Sequence, residues 1–146
     1  MIKLLVLDDE YITRKGIINN INWSDLGVVL IEEARDGLEG LDMASRLKPD
    51  IIISDIRMPR MNGIEFCKQI REQIPECRII FISGYSDIEY LKAAIHLNAI
   101  SYIEKPISIE ELQSVIKKAV DLCLESEKKS KLKIALSQCF RIACPS

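Results

Sequence analysis

Five short apolar segments, each followed by a stretch with helical periodicity, limit the fold of this 146-residue chain more than any other feature. The segments cover residues 2–7, 28–31, 51–54, 78–82 and 100–103. Because their apolar residues do not alternate with polar ones, they predict strands that are covered on both faces. Such strands belong to a parallel sheet with helices packed above and below it.

Apolar residues also recur at the spacing of one helix face, over residues 12–21, 38–47, 64–70, 88–97 and 112–123. Ser108 followed by Glu111 is typical of a capping box at the start of the fifth helix. Asn98 is suited to the end of the fourth helix. Strand and helix alternating five times predict an α/β fold, with a doubly wound five-stranded parallel sheet and five helices. We expect the functional site at the carboxyl ends of the strands.

Carboxylates follow two of these strands. Asp8 and Asp9 come after the first strand, and Asp55 comes after the third. At one edge of a sheet their negative charges oppose one another, and a hard divalent cation with oxygen ligands removes that repulsion. We therefore expect Mg²⁺ bound directly by Asp9 and Asp55, with Asp8 bound directly or through water. The alternative is that Asp8 and Asp9 only begin a loop and cap the first helix.

Asp55 is also a candidate nucleophile, because a carboxylate can accept a phosphoryl group as an acyl phosphate. Groups that neutralise the phosphoryl oxygens are expected from the fourth and fifth strands. Ser83 ends the fourth strand with a hydroxyl, and Lys105 follows the fifth with a positive charge. Solvated side chains at strand ends are the ordinary alternative for both residues. The common position of these groups at the same end of their strands favours a shared phosphoryl site.

Together these motifs resemble the receiver domain of bacterial two-component response regulators. The resemblance covers residues 2–122 and rests on Asp8-Asp9, Asp55, Met58-Pro59, Gly63, Ser83-Gly84, Tyr102 and Lys105-Pro106. It implies the flavodoxin-like (CheY-like) strand order 2-1-3-4-5. It also implies phosphorylation of Asp55 by a sensor histidine kinase, with Mg²⁺ held by Asp9, Asp55 and the backbone carbonyl of Arg57.

The same resemblance implies how phosphorylation is transmitted. Ser83 and Lys105 would bind the phosphoryl oxygens, and Tyr102 would turn inward as Ser83 moves. The face formed by the fourth helix, the fifth strand and the fifth helix would then change shape, which is expected to favour a homodimer or to free an attached output domain. The Lys105–Pro106 peptide matches a family position where the bond is cis. Without the resemblance, Tyr102 would be interpreted as an ordinary strand aromatic.

Two further segments, 21–27 and 83–87, are similar to receivers that precede an AraC-type helix-turn-helix pair in transcription regulators. We expect residues 1–124 to form the receiver. Residues 125–146 are expected to be a basic, amphipathic linker helix, with its apolar residues from Leu132 to Ile142, or a truncated connection to an output domain that is missing here. Residues 1–125 carry a net charge of −6 and residues 126–146 one of +4. Because an acidic body repels phosphates, DNA binding is expected only through that output domain.

Other classes of protein are disfavoured. No apolar run approaches the roughly 18 residues that cross a bilayer, and no export leader is evident, so we expect a cytoplasmic protein without a membrane anchor. The 5 cysteines form no CxxC, and the lone His96 does not complete a zinc site. We expect the chain not to be an enzyme. A phosphatase with an Asp nucleophile would need an acid two residues after Asp55, where Arg57 stands. A pseudo-receiver that only binds other proteins is the remaining alternative.

Overall fold

Five parallel strands form one sheet in the order β2-β1-β3-β4-β5. A computed structural model describes residues 1–84 and 88–143. Its strands are β1 (Ile2–Leu7), β2 (Val28–Ala34), β3 (Ile51–Asp55), β4 (Arg78–Ser83) and β5 (Ser101–Glu104). The chain passes from β1 outward to β2 and then returns to the other side of β1 at β3, so the sheet is doubly wound. The predicted fold class and strand order are confirmed.

Within the described residues the sheet is accompanied by six helices rather than the predicted five. They are α1 (Tyr11–Asn20), α2 (Trp23–Leu26), α3 (Gly37–Leu47), α4 (Gly63–Gln73), α5 (Ile88–His96) and α6 (Ile109–Ala143). The additional helix is α2, whose 4 residues are too few to show a periodic pattern. It ends at Gly27, where φ is 82°, a left-handed conformation that glycine adopts without a steric penalty.

Two apolar clusters lie on the two faces of the sheet. Alternate residues of β1 enter different clusters, since Leu4 packs with residues of α1 and α6, whereas Leu5 packs with residues of α3, α4 and α5. Both side chains are fully buried. The central strands are therefore apolar along their whole length because helices cover both faces.

The helix ends follow the polar signals in the sequence. The Ser108 hydroxyl oxygen accepts a hydrogen bond of 3.3 Å from the Glu111 backbone N–H, as expected for the cap of the fifth predicted helix. Asn98, just after α5, has a φ of 56°. Asp36 caps α3 in the same manner as Ser108, because its Oδ1 accepts from the Glu39 N–H at 2.9 Å.

The fifth predicted helix and the predicted linker helix are one continuous element. α6 runs for 35 residues, and the polar stretch 125–131 does not interrupt it, since that stretch contains no glycine or proline. The first half of α6 buries Leu112 and Ile116 against the sheet, whereas residues 127–140 are all exposed. No helix in the part of the chain that the structure describes is long and apolar enough to cross a membrane. Residues 85–87, used for the AraC-type resemblance, and residues 144–146 lie outside the described residues.

Candidate functional site

Four acidic side chains converge at the carboxyl edge of the sheet. Asp8, Asp9 and Glu10 follow β1, and Asp55 is the last residue of β3, whose Ser54 pairs with Leu7 of β1. One carboxylate oxygen from each of the four acids lies within 4.8 Å of the others. Asp8 and Asp55 are buried, whereas Asp9 and Glu10 are exposed. This set of oxygens, two facing the interior and two facing solvent, could hold a hard cation.

Lys105 brings a positive charge to the same place. It follows β5, and its backbone N–H donates to the Ser83 carbonyl at 2.8 Å, which extends the pairing of β4 with β5. Its Nζ lies 3.1 Å from Oδ2 of Asp8, 3.3 Å from Oδ2 of Asp55 and 3.5 Å from Oε1 of Glu10. The Lys105–Pro106 peptide is cis, as the resemblance implies. One ammonium group therefore faces three of the four carboxylates.

Burial and the neighbouring charges shift the pKa values of the groups at this site. Burial, followed by the charge of Asp8, raises the pKa of Asp55 from 3.8 to about 6. Burial also raises the pKa of Asp8. Burial lowers the pKa of Lys105, but Asp55 and Asp8 outweigh it and raise that pKa overall. Lys105 by itself does not offset the cost of ionising the buried acids, so the site favours an additional cation.

Backbone groups fix the orientation of the buried carboxylates. The Ile56 N–H donates to Oδ1 of Asp55 at 2.8 Å, which leaves Oδ2 toward Lys105. The Glu10 N–H donates to Oδ1 of Asp8 at 2.9 Å. The residue that caps α1 is Glu10, and its side chain makes no capping hydrogen bond. Asp8 thus binds the backbone at the start of the loop before α1, as the alternative expects, while its Oδ2 remains directed toward Lys105.

An open depression of about 410 Å³ gives access to the acidic residues. It is lined by Asp9, Glu10, Asp55, Arg57, Gly84 and Lys105. A Cβ added at Gly84 would lie 3.9 Å from the Lys105 side chain, so the residue next to Ser83 leaves the entrance free. A group the size of a phosphoryl fits at this opening next to Asp55.

Of the remaining predicted residues, Arg57 lines the depression, whereas Ser83 and Tyr102 lie outside its lining. Ser83 ends β4 and is only 1% exposed. Tyr102 pairs with Phe81 across β4 and β5 and is partly buried against the cluster of α3, α4 and α5. The side chain of Arg57 extends to α5, where its Nε donates to the Tyr90 hydroxyl at 3.1 Å. The structure therefore brings carboxylate oxygens of Asp8, Asp9 and Asp55 within 4.8 Å of one another and places Lys105 against Asp8 and Asp55. Tyr102 lies inside β5, before its carboxyl end.

Sequence reasoning missed three residues near the site. Glu10 directly follows the Asp8-Asp9 pair, and that position was its only signal. Arg14 is buried and donates from Nη1 to the Asp8 carbonyl at 2.8 Å. Its spacing from Ile17 and Ile21 on the inner face of α1 was a usable signal, because a charged residue on an apolar face needs a partner. Tyr90 had no signal, since its link to Arg57 depends on where α5 lies.

Comparison with known proteins agrees with the geometry. Residues 4–117 match the family model described as the response regulator receiver domain. The chain is 35% identical over 127 residues to the transcriptional regulatory protein HptR of Staphylococcus aureus, covering 87% of this chain and 50% of that protein. It thus spans about half the length of the curated relatives that it matches.

Solved structures include two close neighbours. A two component transcriptional regulator AraC from Clostridium phytofermentans is 40% identical, with a TM-score of 0.79 over 88% of this chain and 99% of that one. The REC domain of AraT, a response regulator from Geobacillus stearothermophilus, is 37% identical, with a TM-score of 0.80 over 86% and 97%. The predicted resemblance to receivers of AraC-type regulators is confirmed. Together with the fold and the acidic edge of the sheet, these matches establish that the chain belongs to the response regulator receiver domain family.

Proposed function

We propose that this receiver accepts a phosphoryl group on Asp55 in a Mg²⁺-dependent reaction and thereby changes the shape of its signalling face. One observation carries the proposal: Nζ of Lys105 lies 3.3 Å from Asp55 and 3.1 Å from Asp8, at the edge of an open depression. A carboxylate, a fixed cation and further acids at one opening are the groups that phosphoryl transfer to an aspartate requires.

The residues that would hold Mg²⁺ are Asp8, Asp9, Asp55 and the backbone carbonyl of Arg57. Their fit is supported by the close approach of the carboxylate oxygens and by the raised pKa values of Asp55 and Asp8. Glu10 offers one more oxygen at the solvent side. When bound, Mg²⁺ would supply positive charge that neutralises the oxygens of the transferred phosphoryl group.

Asp55 acts as the nucleophile in this proposal. The P–N bond of a phosphohistidine on the partner kinase breaks while a P–O bond forms to a carboxylate oxygen of Asp55, and the electron pair of the broken bond stays on the imidazole nitrogen. The Ile56 N–H holds Oδ1 of Asp55, so Oδ2 is the oxygen that faces Lys105. Lys105 and the hydroxyl of Ser83 then bind the new phosphoryl oxygens.

Phosphorylation would be transmitted through Ser83 and Tyr102. Movement of Ser83 toward the phosphoryl group would shift the carboxyl ends of β4 and β5, and Tyr102 would turn further into the cluster that it already contacts. The face formed by α5, β5 and α6 would change with it, and a homodimer is one expected result. Shifting such an equilibrium from 1:99 to 99:1 requires about 5.5 kcal/mol, which a few charge-assisted hydrogen bonds supply.

The partners in this proposal are a sensor histidine kinase and a DNA-binding output domain. The stretch that matches this chain makes up only 50% of the relative named as a transcriptional regulatory protein, which supports an output domain in the full-length protein. Residues 1–124 would be the receiver and residues 125–146 the basic connection to that domain. The receiver would be a signalling module rather than an enzyme. The free thiols of Cys67, Cys77, Cys123 and Cys139 favour a cytoplasmic location.

The test is the intact mass of the protein after incubation with acetyl phosphate, with and without Mg²⁺. We expect one added phosphoryl group with Mg²⁺, little without it, and none in Asp55→Asn. Full labelling of Asp55→Asn would contradict the assignment of the acceptor. No labelling of the wild type would instead support a pseudo-receiver, and rapid repeated release of phosphate would support a phosphatase.

A further inference from the structure

The loop that follows Asp55 is attached to the start of α3 by an ion pair between the buried Asp36 and the exposed Arg60. We propose that Arg60 and Asp36 are a positioning pair that holds loop 56–62 in the geometry that metal and phosphoryl binding at Asp55 require. This inference rests on the proposed function, because the backbone carbonyl of Arg57 belongs to the same loop.

Two nitrogen atoms of Arg60 contact the same oxygen of Asp36. Nε of Arg60 lies 2.8 Å from Oδ2 of Asp36, and Nη2 lies 2.5 Å from the same atom. The Asp36 side chain is 6% exposed, whereas that of Arg60 is 57% exposed. The pair thus joins a buried acid to a cation at the surface, and it is shielded from solvent mainly on the Asp36 side.

Asp36 holds two elements at once. Its Oδ1 caps α3 by accepting from the Glu39 N–H, and its Oδ2 receives the Arg60 guanidinium. Burial raises the pKa of Asp36, but the bond from Glu39 and the charge of Arg60 outweigh it and lower that pKa overall. The carboxylate is therefore ionised and fully engaged, with one oxygen on α3 and the other on the loop.

The backbone of Arg60 has a conformation that is unusual for an arginine, which gives the contact with Asp36 a structural role. Its φ is 65°, in the left-handed region that side chains other than glycine and asparagine seldom adopt. An arginine in this conformation needs compensating interactions from its surroundings. The ion pair with Asp36 is such an interaction, so its loss would allow the loop to relax toward ordinary backbone angles.

Two backbone hydrogen bonds complete the attachment of the loop. The Gly37 N–H at the start of α3 donates to the Met61 carbonyl at 3.0 Å, and the Gly63 N–H donates to the Ile56 carbonyl at 2.8 Å. A Cβ at Gly37 would lie 2.6 Å from the Met61 side chain, so α3 and the loop are in direct contact. The side chain of Arg60 attaches the middle of this short connection between Asp55 and α4 to the start of α3.

The test compares Arg60→Asn, Arg60→Lys and Asp36→Asn with the wild type. Asn tolerates a positive φ, so Arg60→Asn removes the guanidinium without adding backbone strain. Asp36→Asn keeps a side-chain oxygen for capping α3 while removing the charge. The control is Arg46→Ala, which removes a fully surface-exposed pair with Asp42 on the same helix α3.

Mg²⁺ alone is the first probe, titrated while the amide resonances of Ile56 and Arg57 are followed by NMR. We expect Arg60→Asn and Asp36→Asn each to raise the Mg²⁺ dissociation constant by about tenfold. The double variant should be no weaker than the worse single one, because both remove the same contact. Arg60→Lys should recover part of the affinity, and Arg46→Ala should match the wild type.

The second readout is the rate of phosphorylation by acetyl phosphate at saturating Mg²⁺, measured beside the free energy of unfolding. A purely structural pair would lower stability and leave the dissociation constant unchanged, and that result would overturn the inference. If Arg60→Asn did not fold, Asp36→Asn alone would decide the outcome. A wild type that bound no Mg²⁺ would overturn both proposals, whereas a binding wild type with unaltered variants would overturn only this one.

Discussion

Lys105 Nζ and Asp55 Oδ2 lie 3.3 Å apart although 50 positions of sequence separate their residues. The parallel sheet produces this proximity, because β3 and β5 both end at the same edge on either side of β4. The ammonium group also touches Asp8, so a single cation serves two buried carboxylates. The balance of charge at this point governs both the stability of the domain and its proposed chemistry.

Asp55→Asn should stabilise the metal-free protein. The folded-state pKa of about 6 exceeds the ordinary 3.8, so the folded protein binds a proton more readily than the unfolded chain. The stability of the wild type should therefore fall as the pH rises between these two values and stay low above them. Near pH 7 the variant should be more stable by on the order of 1 kcal/mol.

Urea unfolding in EDTA, repeated across this pH range, measures the difference. Millimolar Mg²⁺ should then raise the stability of the wild type more than that of Asp55→Asn, since the variant lacks one carboxylate ligand. An advantage of the variant that did not change with pH would argue against the charge repulsion between Asp55 and Asp8.

Lys105→Ala should keep the fold but lose the response to phosphorylation. Because the ammonium group of Lys105 lies against both Asp8 and Asp55, its removal leaves these buried carboxylates less compensated, and the free energy of unfolding should fall by roughly 2 kcal/mol. The NMR spectrum of the variant should change much less on phosphorylation than that of the wild type. A phosphorylation-dependent change equal to that of the wild type would contradict the role of Lys105.

Gly63→Ala should disturb the site directly. A Cβ at this position would lie 2.0 Å from the Asp55 carbonyl oxygen, so the start of α4 or the end of β3 must move. We expect a loss of roughly 3 kcal/mol in the free energy of unfolding, together with weaker Mg²⁺ binding.

The matched control is Gly16→Ala in the middle of α1, where an added Cβ meets nothing within 4 Å. Alanine has the higher helix propensity, so this variant should gain about 1 kcal/mol. Urea denaturation measures whether the free energy of unfolding falls in Gly63→Ala and rises in Gly16→Ala. Equal effects would mean that the close approach at Gly63 does not exist in solution.

Truncation of α6 tests where the receiver ends. Removal of the residues after Glu127 deletes an extension of α6 in which the described side chains, those of residues 128–140, are all exposed. It retains Ser126, whose hydroxyl contacts Arg78. We expect the free energy of unfolding to change by less than about 0.5 kcal/mol. Removal of the residues after Val115 deletes the fully buried Ile116 and Ala119, and cooperative unfolding should be lost. A large effect of the first truncation would show that the extension belongs to the folded domain.

Most strands could be predicted from the sequence because a short, unbroken apolar run is typical of a strand that is covered on both faces. The exception is the end of β2, where the expected strand stopped at Ile31 and the observed one continues to Ala34. β2 lies at an edge of the sheet, and its Glu33 pairs with Arg14 and Lys15 of α1. A charged residue such as Glu33 does not fit an apolar strand pattern, so the sequence did not predict the end of β2. The partners of Glu33 could be identified only from the position of α1 in the structure.

The sequence by itself predicted the parallel sheet and placed Asp8, Asp55 and Lys105 at the carboxyl ends of its strands, and the resemblance to receivers implied the strand order that brings these ends together. Only the tertiary structure decided the contacts between loops and helices, such as those of Arg60 with Asp36 and of Arg57 with Tyr90. Those contacts join residues with no shared periodicity, and they form only when packing has set the relative positions of the helices. The apolar pattern therefore specifies the fold, whereas the packed helices specify how the loop after Asp55 is held.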